Sequence, residues 1–190
     1  MAAAEEVLKE ERRLNEAKVL AGMYVPQLDL TYLPIPKCGH HAISQAIMNT
    51  YPKLEWVLEP RGEVVVMIRD PLLRLESFYG YSKTTNPQYA RTRGVPVETW
   101  DVYLDWVLSK PDEERNRHVQ SQCRLVEDWE IDTVYRWDWG RLAERLDVGT
   151  IGRTNFSQMY VSPWDEYSIV RVLEDPAFKK DKDWFDGKTD

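Results

Sequence analysis

A three-layer α/β domain, with helices on both faces of a mainly parallel sheet, is predicted by three observations on this 190-residue chain. The stretch "EVVVMIR", Glu63 to Arg69, is an almost continuous β-branched run, the pattern of a strand covered on both faces. Helix-start chemistry follows strand-like segments directly: Asp70–Pro71 after that run, and a lysine–glycine turn ahead of "HHAIS". Strand-like and helix-like segments then alternate, with breakers between them.

Taken in order, residues 1–23 read as a leading helix, with its helical core at 3–21, polar enough to lie on the surface or to pack through Val7, Leu14 and Leu20. The first strand is expected within Tyr24–Ile35, with Pro34 and Pro36 marking its exit. Ala42–Thr50 is a helix by the i, i+3, i+4 spacing of Ile43, Ala46 and Ile47. Glu63–Arg69 is the second strand, and the helix capped by Asp70 lines up Leu72, Leu75 and Tyr79. The polar, breaker-rich stretch Ser82–Pro96 reads as a long, substrate-facing loop. A helix at Val97–Leu108 follows, its stripe of Trp100, Tyr103, Leu104, Val107 and Leu108 assigned to the core. "IDTVYR" is a further strand and "WGRLAERLDV" the helix after it. The whole reads as a single domain, 1–190, whose charged tail 174–190 is expected to fray.

Composition narrows the function classes. With 43% hydrophobic and 30% charged residues the chain has the balance of an ordinary globular protein. A formal charge of −7 argues against a general nucleic-acid surface but leaves room for a local basic pocket. Two cysteines, Cys38 and Cys123, are too few for a disulfide framework and fit a reducing compartment. No apolar run is long enough to span a bilayer, and the charged N-terminus lacks a signal-peptide core, so a cytoplasmic protein without a membrane partner is expected. The eight tryptophans are assigned to packing.

Two junctions carry anion-binding chemistry. The first is "YLPIPKCGHHAIS", Tyr32 to Ser44, where a strand gives way to a helix. Free N–H groups and the positive end of a helix dipole collect at such a junction. Gly39 allows close backbone approach and Lys37 adds charge. The lysine precedes the glycine and no earlier glycine exists, so the G-x-x-x-x-G-K-[ST] phosphate loop of ordinary ATPases and kinases is not present. The second junction is "IRDPLLRLES": Arg69 ends a buried strand and Ser77 lies two turns into the next helix. An arginine there needs a bound anion or an internal carboxylate, Asp70 or Glu76.

Together the two junctions resemble the sulfotransferases that use 3′-phosphoadenosine 5′-phosphosulfate (PAPS), in particular their carbohydrate-type (Golgi-type) branch. In that family a P-K-x-G-[ST]-[ST] loop holds the 5′-phosphosulfate, and R-[DHN]-P-x-x-R-x-x-S holds the 3′-phosphate. Pro36-Lys37-Cys38-Gly39 is similar to the first, and Arg69, Pro71, Arg74 and Ser77 fall in register with the second. "RNRHVQSQCRL" looks like the family's His-x-x-x-Gln stretch. "IDTVYRWDWGRLAERL" is similar to a strand–helix segment that carries a Phe-Glu pair, with Asp138 in the Glu position. "RTNFSQ" resembles an Asn-containing segment near the end. The resemblance spans residues 28–185, is densest over 32–79, and implies a P-loop-like plan for the domain. It departs from the family at His40 and His41, which stand where Ser or Thr is usual; imidazole N–H groups can also donate to phosphate.

The resemblance implies sulfuryl transfer from PAPS to a hydroxyl of a sugar or other small polar acceptor. Lys37 would relieve charge on the leaving phosphate, and the cofactor would be bound by Pro36, Lys37, Cys38, Gly39, His40, His41 and Ala42, with Arg69 and Ser77 on the 3′-phosphate. For the base, His118 stands first, His41 and His40 second and Glu76 third, with Arg74 read either as a surface charge or as a charge supporting the site residues from behind. No metal is expected: neighbouring histidines should point in different directions, and no spaced ligand pair joins them to Cys38, Cys123 or His118. A kinase with a divergent phosphate loop and a degenerate nucleotide-binding protein are the competing readings.

Overall fold

The computed structural model describes residues 20–149, 151 and 164–188. Most of the leading helix and the "RTNFSQ" segment therefore lie outside the described residues. The rest forms two compact units, one running to Ile68 and resuming at Leu125, the other holding Arg69–Arg124 and the C-terminal helices.

The first unit is α/β. Strands β1 (Gly22–Val25), β2 (Leu30–Leu33), β3 (Glu55–Val57), β4 (Glu63–Ile68) and β5 (Thr133–Arg136) form one sheet in the order β3-β1-β2-β4-β5. Helix α1 (His40–Thr50) joins β2 to β3. The β2–β4 and β4–β5 pairings are parallel, whereas β1 runs antiparallel to both β2 and β3. The sheet is thus mixed, not mainly parallel as expected. The single strand expected at Tyr24–Ile35 is a hairpin: Pro26–Asp29 reverse the chain, with Asp29 at φ 47° and the Leu28 N–H donating to the Val25 carbonyl at 3.1 Å. Gly22 and Met23 belong to β1, not to the leading helix.

Alternation along the strands sends Met23, Val25, Leu30, Tyr32, Val65, Met67 and Tyr135 into one core with Ile43 and Ile47 of α1. The second helix on that core, Trp139–Arg145, adds Trp139 and Leu142 after Asp138 caps its start by accepting from the Arg141 N–H at 3.1 Å. The continuous β-branched run behaves as expected: Val64–Ile68 are all buried, so both faces of β4 are covered.

Glu63, at the entry to β4, accepts from the Arg145 guanidinium and from the Thr133 hydroxyl, the latter at 2.9 Å. The Arg145 hydrogen bond, more than Thr133, holds its carboxyl below the usual glutamate range. Its folded pKa is depressed, so its stabilisation is present above the unfolded pKa and lost as pH falls through the folded one. The pair is partly exposed, which limits the contribution to about 0.5 kcal/mol. Glu63→Gln should lower Tm slightly at pH 7 and leave it unchanged at pH 3; an equal loss at both values would dismiss the pair as a pH-dependent contact.

The second unit is helical. Its helices are α2 (Pro71–Gly80), α3 (Pro87–Arg93), α4 (Trp100–Leu108), α5 (Gln122–Leu125, whose last residue belongs to the first unit), α7 (Glu166–Glu174) and α8 (Pro176–Phe185); Trp139–Arg145 of the first unit is α6. Leu75, Phe78, Tyr103, Leu104, Val107, Val119, Val172 and Phe178 build its core. Asp70 caps α2 as expected, accepting from the Leu72 N–H at 2.9 Å.

Two expectations fail here. Ser82–Pro96 is not a loop: a π-helical turn, Tyr81–Thr85, extends α2, and α3 follows with Asn86 as cap, Pro87 in its first turn and Gly94 in the left-handed region at its end. Nor is 174–188 a frayed tail. Asp175 caps α8, and Phe178 and Asp181 are fully buried. Among the described residues, no helix is long and apolar enough to cross a membrane.

Candidate functional site

The β2–α1 junction is shaped by its prolines and by one backbone oddity. The Cys38 N–H donates to the Ile35 carbonyl at 3.2 Å, closing a turn with Pro36 at the second position and Lys37, at φ 66°, at the third. That is the type II pattern, whose third position ordinarily takes glycine. A lysine there bears about 1 kcal/mol of left-handed strain.

Gly39 follows at φ 77°, and a side chain there would place its Cβ 2.2 Å from the Trp139 ring. The absence of a Cβ lets the indole floor the turn directly. Gly39 is also the N-cap of α1 and offers no capping side chain, so the N–H groups of His40, His41 and Ala42 open the helix. Cys38 is fully buried, which suits packing and not nucleophilic attack.

His40 and His41 were expected to diverge. Their ring centroids are instead 4.0 Å apart with planes tilted by 35°. At the first two positions of a helix no preceding turn confines the rotamers, so neighbouring rings can lean together. His41 is exposed and His40 half-buried. Among the described residues no three His, Cys, Asp or Glu side chains cluster as a metal site.

Arg69 lies at the carboxyl end of β4 and is largely buried, at 9% exposure. Its peptide is held on both sides by one amide: its N–H donates to Gln122 Oε1 at 2.9 Å, and its carbonyl accepts from Gln122 Nε2 at 2.7 Å. Gln122 is the glutamine of the His-x-x-x-Gln stretch. Asp70, one of the two carboxylates considered as an internal partner for Arg69, faces its own helix N-terminus and Lys182, 3.2 Å away. Glu76 is buried. Ser77 stands half-buried on α2.

Of the two roles expected for Arg74, burial excludes the surface one. It is one of the most deeply buried side chains, at 1% exposure. Its guanidinium donates to the Gln120 carbonyl at 2.5 Å and to the Arg117 carbonyl at 2.9 Å. These two bonds bracket His118 and fasten its loop to α2. The ring of His118 stacks on Phe78, the residue after Ser77, with centroids 4.9 Å apart and planes 9° from parallel.

Two groups meet Nδ1 of His118. Asn116 Oδ1, which accepts from the His118 backbone N–H at 3.0 Å, lies 2.9 Å from Nδ1, and the Tyr89 hydroxyl lies 3.3 Å from it. Nδ1 donates to Asn116 Oδ1 in the tautomer that leaves Nε2 as the basic nitrogen. Burial, then the charge of Asp181, pushes the Cys123 thiol far above its usual range.

β2 and β4 are hydrogen-bonded parallel neighbours, with Leu33 opposite Val66, so both strands run toward the same edge of the sheet. Pro34–Gly39 is the chain that leaves β2 there, and Arg69 is the residue that leaves β4. Ligands of parallel sheets collect at such carboxyl edges. Two surface grooves lie within the helical unit. One of about 680 Å³ runs past Lys83, Arg91 and Val95, and one of about 400 Å³ past Lys110, Arg115 and Asp175.

The fastening of Arg69 by Gln122 and of the His118 loop by Arg74 could not be read from the sequence. The only signal was the register of Arg74 and Gln122 within the motifs quoted above. Comparison with protein-family models, with curated proteins and with solved structures returns no match.

Proposed function

We propose that this protein is a PAPS-dependent sulfotransferase that transfers a sulfuryl group to a hydroxyl of a sugar or another small polar acceptor, on a P-loop-like three-layer plan. The observation that carries the reading is the shared direction of β2 and β4, one followed by the strained Lys37 turn and the other by Arg69.

In this reading the N–H groups of Gly39 to Ala42 cradle the 5′-phosphate, and the paired His40 and His41 rings add donors in place of the usual hydroxyls. Arg69 and Ser77 receive the 3′-phosphate. The acceptor oxygen attacks sulfur in line as the bond from sulfur to the bridging oxygen breaks. The electron pair of that bond passes to the leaving phosphate, whose charge Lys37 meets. His118 Nε2 takes the acceptor's proton, with Asn116 keeping the ring in the competent tautomer.

Thermal shift tests the ligand class. A ligand that binds only the folded state at 100 times its Kd adds about 2.7 kcal/mol, or a rise of roughly 5–10 °C for a chain of this size. Adenosine 3′,5′-bisphosphate is expected to produce that rise and ATP with Mg²⁺ is not. The opposite ranking would replace the sulfotransferase with a kinase, and silence from both would remove the nucleotide.

A further inference from the structure

The C-terminal helix α8 carries a buried acid that the chemistry above does not use. Asp181 is fully buried, and its two oxygens accept from successive backbone N–H groups at the start of α5: Gln122 at 2.7 Å and Cys123 at 2.9 Å. Burial raises its carboxyl above the usual range, against the pull of those two N–H groups and of Arg74. Gln122 in turn pairs its side-chain amide with both the N–H and the carbonyl of Arg69. The chain of contacts is continuous: a carboxylate on α8 fixes the backbone of Gln122, and the Gln122 side chain fixes the peptide from which the Arg69 guanidinium extends.

The fit is specific to an amide. Only Asn and Gln present one acceptor and one donor side by side, as a neighbouring strand would, and only Gln spans the extra methylene. Gln122 thus meets both main-chain groups of Arg69 as a one-residue strand would. The backbone of Gln122 is itself held, because the N–H groups it shares with Cys123 meet a carboxylate that water does not reach.

We infer that Asp181 and Gln122 are positioning residues for Arg69, and that α8 thereby sets how strongly the site discriminates a 3′-phosphorylated adenosine nucleotide from its 5′-monophosphate. The inference rests on the function proposed above for its ligand, and on the contacts alone for its mechanism. A misplacement of about 1 Å at a bidentate arginine is enough to lower affinity substantially.

The experiment compares Asp181→Asn and Gln122→Met with the intact chain by two readouts. The first is amide hydrogen exchange, expected to accelerate at Arg69 while Val65–Met67 in the middle of β4 keep their protection. The second is the ratio of affinities for adenosine 3′,5′-bisphosphate and adenosine 5′-monophosphate. Each variant should lower that ratio about tenfold, leave the 5′-monophosphate affinity within about twofold, and add nothing in an Arg69→Ala background. Gln122→Asn, which keeps the amide but withdraws it by a methylene, replaces Gln122→Met if the latter does not fold. Unchanged exchange at Arg69, faster exchange spread over all of β4, or an unchanged ratio in a folded variant would each overturn the inference. An intact chain that shows no preference for the 3′-phosphate defeats the sulfotransferase reading instead, and the exchange data then decide the positioning role alone.

Discussion

Gly39→Ala is expected to destabilise the protein by about 3 kcal/mol and to lower Tm by roughly 6–12 °C. Two costs combine. At φ 77° an alanine is held in the left-handed region, and its methyl would sit 2.2 Å from Cη2 and 2.7 Å from Cζ2 of Trp139. That indole cannot simply retreat: it is 7% exposed, belongs to the sheet–helix core, and meets Trp137 edge-on at 5.1 Å. Gly94→Ala supplies the control, because Gly94 has φ 61° and nothing within 4 Å of an added Cβ. It should cost only the backbone part, about 1 kcal/mol. Calorimetric melts of the two variants separate packing from conformation. Equal losses would show that Trp139 is no obstacle and that the turn has no indole floor.

Lys37→Gly should move activity and stability in different directions. Glycine is the residue that the turn geometry asks for, since Lys37 stands at φ 66° directly after Pro36. Release of about 1 kcal/mol of strain is offset by the greater freedom of glycine in the unfolded chain, about 0.5–1 kcal/mol. Tm is therefore expected to stay the same or rise slightly. Sulfuryl transfer should nevertheless fall by about 10²–10³-fold, the usual loss when one electrostatic donor is removed from a reacting centre. Adenosine 3′,5′-bisphosphate should still bind, whereas Arg69→Ala should mainly weaken that binding. A Lys37→Gly protein with full transfer activity would end the role proposed for the lysine. One that melts well below the parent would show the side chain to be structural.

The sequence revealed those elements whose signals are local. Asp70–Pro71 announces α2, the β-branched run announces β4, and the stripe from Trp100 to Val107 announces α4, because caps and periodicity act within a few residues. The hairpin at Pro26–Asp29 was hidden because its two strands are only four residues each and largely apolar, and so read as one. α3 was hidden because Asn86, Pro87 and Gly94 are residues of turns as well as of helix ends.

At the candidate site the lysine turn and Arg69 were visible as types. The inward face of Arg74 was not, since an arginine on a helix is ordinarily a surface residue and its partners here are main-chain carbonyls more than forty positions away. The amide that completes Arg69's peptide lies 53 positions along the chain, which no local pattern reports.

That separation has a consequence for how the protein is made. During synthesis β4 leaves the ribosome before Gln122, and Gln122 before Asp181. Contacts so distant in sequence form only after the intervening loop has closed. The strand can therefore pair with β2 before the residues that hold the peptide of Arg69 exist. Completion of the contacts around Arg69 waits on residues made 53 or more positions after it.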